Sequence, residues 1–302
     1  SGSVSGSVSG GDALPAASDR TAVAWGSPET TDGSTFTTNP WTMSLDWSGP
    51  AATTGNVHAL QWTPTTGIPT AYRGYGVASG VAVANGGSTN SVAIAMTAPV
   101  ASTISGSVTV PAGVTLAGKT LGIAFADGAT FGVGSDATAA TSFNYPVPSG
   151  IGSTATVTAS GSVTGGATIT LARGIAAGAT GATVALLSPA LQSTPVNNAT
   201  AVSTTTDFTW SQLSGGLHFV VITTASASAP VYYLLTTGAT GRIPDLGTLG
   251  VVLPAATAYS WSIVAVAPWA SIDDFAGGAA ILPAGGNTLN ESISAPRTFT
   301  TQ

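Results

Sequence analysis

Charge is what this chain of 302 residues has least of. Lys, Arg, Asp and Glu together make up 6% of it, against roughly 25% in ordinary soluble domains. Six basic and twelve acidic residues leave a net charge of -6. The basic surface that binds nucleic acid or anionic lipid is therefore missing. The composition predicts no nucleic-acid partner.

Groups that carry catalysis are also scarce. Cysteine is absent, which excludes disulfides, thiol nucleophiles and cysteine-based metal sites. Histidine occurs only as His58 and His218, and glutamate only as Glu29 and Glu291. Each histidine lies in an alternating, strand-like run, so we interpret both as exposed or half-buried strand residues without a catalytic role. Because acid–base and metal chemistry depend on these residue types, we expect no enzymatic activity and no cofactor.

Long apolar runs are missing as well. No stretch of about 18 apolar residues without polar breaks occurs, so the sequence predicts no transmembrane helix. The chain starts at Ser1, as a secreted chain does after its signal peptide is removed. We therefore expect a secreted protein, located in the extracellular space or at the cell surface.

What the sequence does contain is short alternating runs between frequent turn residues. Thr, Val, Ser, Ala and Gly dominate, and 39 glycines and 18 prolines interrupt the chain. Runs such as "VHALQW", "SVAIAM", "ATVTAS" and "YSWSIVAV" alternate with the period of two that is typical of half-buried strands. The pattern predicts an all-β protein of three consecutive antiparallel β-sandwich domains with an immunoglobulin-like architecture.

A repeat divides the first two thirds of the chain. "SGSV" at Ser5–Val8 returns at Ser105–Val108, and Trp25 in "TAVAWGS" corresponds to Phe125 in "LGIAFAD", again 100 residues later. We interpret this as a tandem duplication of a domain of roughly 90 to 100 residues. The predicted domains are 1–99, 100–190 and 191–302.

The opening segment "SGSVSGSVSG" has two interpretations. By analogy with "TISGSVTV" it is a strand, with Val4, Gly6 and Val8 on one face, and it is our candidate assembly strand for a neighbour's sheet. The alternative is a disordered Gly/Ser tail.

Two resemblances accompany this pattern. The stretch "SGSVTVPAGVTLAGKTLGIAF" and the later "FNYPVPSG" resemble carboxypeptidase-regulatory-like domains, which implies transthyretin-like sandwiches for both repeats. The third range resembles a fibronectin type III domain of a bacterial secreted or surface protein. That resemblance implies a core position for Trp210 and a tyrosine corner at Tyr259 in "LPAATAYSW", with its hydroxyl bonded to the preceding loop. Such modules are mostly adhesive, spacing or docking domains.

The sequence offers few binding candidates. Asp273 and Asp274 are the only adjacent acidic pair and a weak calcium candidate, with a polar loop as the alternative. Asn198 and Asn290 begin N-glycosylation triplets. Four aromatic residues are candidate glycan contacts, with core filling as the alternative: Trp41, Trp47, Tyr72 and Tyr75.

Low charge decides the expected function. Soluble monomers normally carry interspersed surface charge, and uncharged sheet edges accept further strands. We therefore expect a non-enzymatic extracellular structural protein that self-assembles into a homo-oligomer or polymer, as a cell-surface, fibre or sheath subunit. The alternative is a secreted carbohydrate-binding or adhesin module with a glycan as partner.

Overall fold

The computed structural model describes residues 1–11, 19–27, 34–36, 39–47, 49–64, 66–269, 271–277 and 288–302. The protein is all-β, as predicted. Within these ranges the helical segments are the six-residue helix α1, Ile272–Gly277, and a single 3-10 turn at Gly247–Leu249. No helix in the described ranges has both the length and the apolar character needed to cross a lipid bilayer.

The first fourteen strands form two series of seven. The first series is β1 Gly2–Gly10, β2 Arg20–Gly26, β3 Ser34–Phe36, β4 Trp41–Leu45, β5 Ala52–Thr63, β6 Ala71–Ala84 and β7 Ser88–Met96. The second series is β8 Val100–Thr109, β9 Thr115–Phe125, β10 Thr130–Asp136, β11 Ser142–Ser149, β12 Ser153–Val163, β13 Gly166–Ile175 and β14 Ala182–Ala185.

Nine shorter or more irregular strands follow along the chain. They are β15 Gln192–Thr194, β16 Ala199–Val202, β17 Phe208–Trp210, β18 Leu217–Thr223, β19 Tyr232–Thr236, β20 Thr240–Gly241, β21 Ala258–Ala267, β22 Thr288–Ser294 and β23 Arg297–Thr301.

The strands gather into two compact units. Unit 1 consists of Ser1–Val108, Gly118–Thr158 and Ala172–Val184. Unit 2 consists of Thr109–Ala117, Ala159–Leu171 and Ala185–Gln302. The predicted division of the chain at residues 99 and 190 stays a prediction.

The two series of seven strands share one pairing order. β1 lies between β4 and β7, and β8 lies between β11 and β14 in the same way. β2 lies between β3 and β5, and β9 lies between β10 and β12. Trp25 and Phe125, which the sequence pairs, are both buried near the ends of β2 and β9. The two series therefore have the same topology in these two sheets.

β1 has neighbours of both orientations in its sheet. β1 is antiparallel to β4 but parallel to β7. A parallel neighbour requires a crossover connection. The chain between β1 and β7 supplies it, because β2, β3, β5 and β6 form the other sheet. In unit 2, β16 and β23 are also parallel.

The core of the first series follows from strand alternation. In β4 the odd positions Trp41, Met43 and Leu45 are buried and the residues between them are exposed. They pack with Val4 of β1 and Trp25 of β2 in one apolar cluster. Burying large aromatic side chains dominates the energetics of such a core.

Unit 2 has its own core, built on β17, β18, β21 and β23. Trp210, predicted to be a core residue, is 4% exposed and packs in this cluster. Tyr259 is buried and stacks on Phe299, with ring centroids 5.5 Å apart. Its hydroxyl has no hydrogen-bond partner among the described residues, so the predicted tyrosine-corner bond is not formed. The stacking holds the ring in an apolar setting, and burial raises the pKa of this tyrosine.

Candidate functional site

The proposed assembly strand is an internal strand of its own sheet. Val4 is buried, Gly6 is buried and Val8 is half-buried within β1. Both edges of β1 are hydrogen-bonded inside the chain, to β4 and to β7. The prediction of a strand is confirmed, and the alternative of a disordered tail is wrong. An assembly role for β1 stays a prediction, and it would require this strand to leave both neighbours.

The aromatic glycan candidates are largely enclosed. Trp41 is 2% exposed, so it cannot stack on a sugar ring, and the prediction is wrong for this residue because strand alternation turns it into the core. Trp47 is half-buried against the same core and donates its indole N–H to the Pro50 carbonyl at 2.9 Å. Burial raises the pKa of Tyr72. One face of the Tyr75 ring is covered by Phe125, at 5.4 Å between centroids.

The two glycosylation triplets have different surroundings. Asn290 is 8% exposed, and its Oδ1 accepts a hydrogen bond of 2.7 Å from the Thr170 hydroxyl. The side-chain amide of Asn290 is therefore enclosed in the fold, and its modification stays a prediction. Asn198 is exposed and accepts a hydrogen bond of 2.6 Å from Thr298, and its modification stays a prediction.

The acidic pair is part of a helix. Asp273 and Asp274 lie exposed in the first turn of α1, where carboxylates interact favourably with the helix dipole. The described residues contain no group of three His, Cys, Asp or Glu side chains that could hold a metal ion. Calcium takes six to eight oxygen ligands. The structure thus gives the calcium candidate no further protein carboxylate in the described ranges.

A polar cluster in unit 1 was not predicted. His58 on β5 binds the Tyr75 hydroxyl through Nδ1 at 2.9 Å and Asp127 Oδ2 through Nε2 at 2.8 Å. The Asn56 amide donates to the same carboxylate oxygen at 2.7 Å. Phe125 stacks on the imidazole, with centroids 4.2 Å apart. We call His58, Asn56, Tyr75 and Asp127 the His58 cluster.

The polar groups of the His58 cluster are held in hydrogen bonds to one another. Burial acts to raise the pKa of Asp127, but hydrogen bonds from His58 and Asn56 and the charge of His58 outweigh it and lower that pKa. Burial and the charge of Asp127 raise the pKa of Tyr75 to about 12, so its hydroxyl is a poor nucleophile. Both imidazole nitrogens are already engaged. No motif in the sequence predicts the cluster, because His58 and Asp127 are 69 residues apart in the chain.

A second buried cluster surrounds the only lysine. Lys119 on β9 is 2% exposed. Its ammonium donates to the carbonyls of Ala140 at 2.7 Å and Thr138 at 3.1 Å and lies 3.2 Å from Asp136 Oδ2. The Tyr145 hydroxyl donates to the same carboxylate at 2.7 Å. These acceptors match the three donors of an ammonium, so the arrangement ties the segment after β10 to β9.

The second histidine lies in a strand, as predicted, but it is not exposed or half-buried as the sequence indicated. His218 on β18 is fully buried, and its Nε2 accepts a hydrogen bond of 3.0 Å from the Leu213 N–H. Burial lowers the pKa of this imidazole. It lies beside Trp210 in the core of unit 2, with ring centroids 5.9 Å apart.

The most distinctive surface in unit 2 is the edge of β19. β18 pairs with β19 on one side, and no other strand among the described residues pairs with it on the other. We call this free side the β19 edge. Tyr233 is 74% exposed there, and Val231 just before the strand is 43% exposed. Residues 219–241 contain no charged side chain, and no proline lies within β19 itself.

An apolar row leads from this edge across the outer face of the sheet. Leu235 on β19 is opposite Phe219 on β18, Phe219 is opposite Val264 on β21, and Val264 is opposite Ile293 on β22. These four residues, which we call the apolar row, are exposed or half-buried, whereas their neighbours along β18 and β21 are buried. Phe275 of α1 packs edge-on against Phe219, with centroids 5.3 Å apart.

Comparisons with known proteins add no assignment. No protein-family model matches the chain, and a search of curated protein sequences finds no match either.

Proposed function

We propose that this protein is a non-enzymatic, extracellular structural subunit that self-assembles. The observation that carries the proposal is the β19 edge: an exposed strand edge without charge, bordered by the apolar row. Such an edge presents unpaired backbone N–H and C=O groups to any strand that can approach it.

The way the few charges are used supports the proposal. Natural monomers blunt sheet edges with exposed charges, especially lysine. The single lysine, Lys119, is buried and engaged with Asp136, so no lysine side chain guards any edge of this protein. Arg242, the first charged residue after β19, is paired with Asp207 at 2.6 Å. Little long-range repulsion therefore keeps copies of the chain apart.

The state of the titratable groups also supports a structural role. The carboxylate of Asp127 and both imidazoles are engaged in hydrogen bonds to other parts of the fold. Catalysis requires groups that can reach a substrate and exchange protons with it. In the His58 cluster and around Lys119, the polar atoms instead hold strands and connecting segments together.

Sedimentation velocity combined with negative-stain microscopy tests the proposal. We expect the purified protein to form larger species as its concentration rises over about a hundredfold range, because association follows mass action. Regular oligomers, filaments or sheets in the micrographs are the expected form. A chain that sediments as a monomer at every concentration would contradict the proposal.

A further inference from the structure

We propose that β19 pairs antiparallel with β19 of a second copy, about a two-fold axis at Leu234, so that two sheets become one. This inference rests on the proposed function and names the surface and the partner through which assembly begins. Dimers with closed two-fold symmetry are the commonest form of homo-oligomer, and they use the same surface on both subunits.

The backbone of β19 determines the chemical nature of the occupant. An edge strand offers alternating donors and acceptors that only another extended strand can satisfy throughout. β19 contains no proline, which would remove a donor, and Pro230 ends the edge just before Val231. A second copy brings an identical strand with the same free edge.

The length of β19 determines the register. The strand has five residues, Tyr232–Thr236, and Leu234 is the middle one. If all five residues pair with the same five residues of an antiparallel copy, Leu234 must be opposite the partner's Leu234. Tyr233 is then opposite the partner's Leu235, and Tyr232 is opposite the partner's Thr236.

This register covers the most exposed aromatic residue of the edge. Tyr233 and Leu235 point to the outer face of the sheet, because Tyr232 is buried and Leu234 packs against the core. Directly opposite side chains in antiparallel strands have Cβ atoms about 4.5 to 5.5 Å apart. Each Tyr233 ring therefore contacts the partner's Leu235, and the apolar rows of both copies become continuous.

Electrostatics leave this pairing unopposed. Residues 219–241 bring no charge to the interface, so no like charges, which destabilise a strand pair when directly opposite, meet across it. The nearest ion pair, Arg242 with Asp207, is exposed on both partners and satisfied within one chain.

The absence of cysteine makes disulfide trapping a clean test. In the variant carrying both Tyr233→Cys and Leu235→Cys, each new thiol is opposite its partner's in the proposed register, within the Cα separation that a disulfide spans. Under mild oxidation we expect a covalent dimer on a non-reducing gel, which a reductant returns to monomer. The single variants Tyr233→Cys and Leu235→Cys are the controls. In each single variant the two identical thiols are diagonal neighbours across the interface, about 7 to 8 Å apart. Each variant should therefore form no disulfide and run as a monomer on the non-reducing gel.

A second variant tests the same edge without cross-linking. Tyr233→Lys places a charge on an exposed position and should weaken association about tenfold or more, while the melting temperature stays unchanged. Val196→Lys, which changes another exposed residue of unit 2, should leave association as it is.

The outcomes separate this inference from the proposed function. If the single cysteine variants cross-link as well as the double variant does, the register is wrong. If the chain assembles but neither the double variant cross-links nor Tyr233→Lys weakens association, assembly uses another surface and only this inference fails. If no association is seen in sedimentation, the proposed function fails with it.

Discussion

At the scale of single residues, two of the few charged pairs of this chain lie largely enclosed in the fold. Lys119 is buried against Asp136, and the Asp127 carboxylate is held by His58. Removing one partner of a buried ion pair is costly, because it leaves the other charge uncompensated. Sequence reasoning missed both pairs, since single acidic residues in separate runs carry no spacing signal.

The Asp136→Asn variant tests how much the Lys119 pair contributes. Burial acts to raise the pKa of Asp136, but hydrogen bonds from Thr138, Tyr145 and Lys119 hold that pKa well below its usual range. A lowered pKa stabilises the fold above the unfolded-state value of about 3.9, and this contribution is lost as the pH falls below it. We therefore expect the variant to lose about 3 kcal/mol of unfolding free energy near neutral pH, and less near pH 3, in urea denaturation.

Asp207→Asn is the matched control for this experiment. Asp207 pairs with Arg242 on the surface, where solvent screens the interaction, so this variant should unfold almost as the original protein does. Equal loss of unfolding free energy in both variants would show that the buried Lys119–Asp136 pair contributes no more to stability than the exposed Arg242–Asp207 pair.

At the scale of strands, the repeated "SGSV" has a physical reason. A methyl group on Gly6 would lie 1.9 Å from the Val92 carbonyl oxygen of β7, and one on Gly106 would lie 2.0 Å from the Ala182 carbonyl oxygen of β14. An aromatic ring from the antiparallel neighbour closes the other side in both cases, Trp41 for Gly6 and Phe143 for Gly106. The glycine thus permits close approach on both sides of the central strand.

We predict that Gly6→Ala and Gly106→Ala each destabilise the protein by about 1 to 3 kcal/mol, because the new methyl group forces the neighbouring backbone to move. Gly132→Ala in β10 is the control, since a methyl group there meets no atom within 4 Å. Chemical denaturation of the three variants measures the difference. A loss for Gly132→Ala as large as for Gly6→Ala would contradict the argument from close approach.

At the scale of the whole molecule, the low charge and the open edge of β19 act together. With 6% charged residues, copies of the chain repel each other only weakly, and the β19 edge has backbone groups that could pair with a further strand. The association we propose depends on backbone hydrogen bonds and apolar contacts. Salt screens only charged contacts between subunits, and it leaves these terms largely intact.

Association should therefore be insensitive to sodium chloride and stronger in ammonium sulfate. We expect the dissociation constant to change by less than roughly threefold between low and high sodium chloride, because no charge lies in the interface. Sulfate is excluded from protein surfaces and strengthens apolar burial. Sedimentation velocity across both salt series measures this, and marked weakening by sodium chloride would indicate that charged contacts hold the subunits together.

The sequence by itself determined the strand-rich fold and the positions of many core residues. Alternation with period two places Trp41, Met43 and Leu45 together on one face of a strand, and the structure shows that this face is buried. The recurrence of "SGSV" likewise indicated that the opening segment is a strand and not a tail.

Only the tertiary structure decided which strands pair and which edge remains open. Strand pairing joins residues far apart in the chain, and alternation carries no record of the neighbour, so the parallel partner of β1 could not be read from the sequence. The same reason hid the His58 cluster, whose histidine and aspartate meet across 69 residues. The sequence indicated β1 as the candidate assembly strand, but both sides of β1 are paired. The structure instead indicates β19, whose outer side has no partner strand among the described residues.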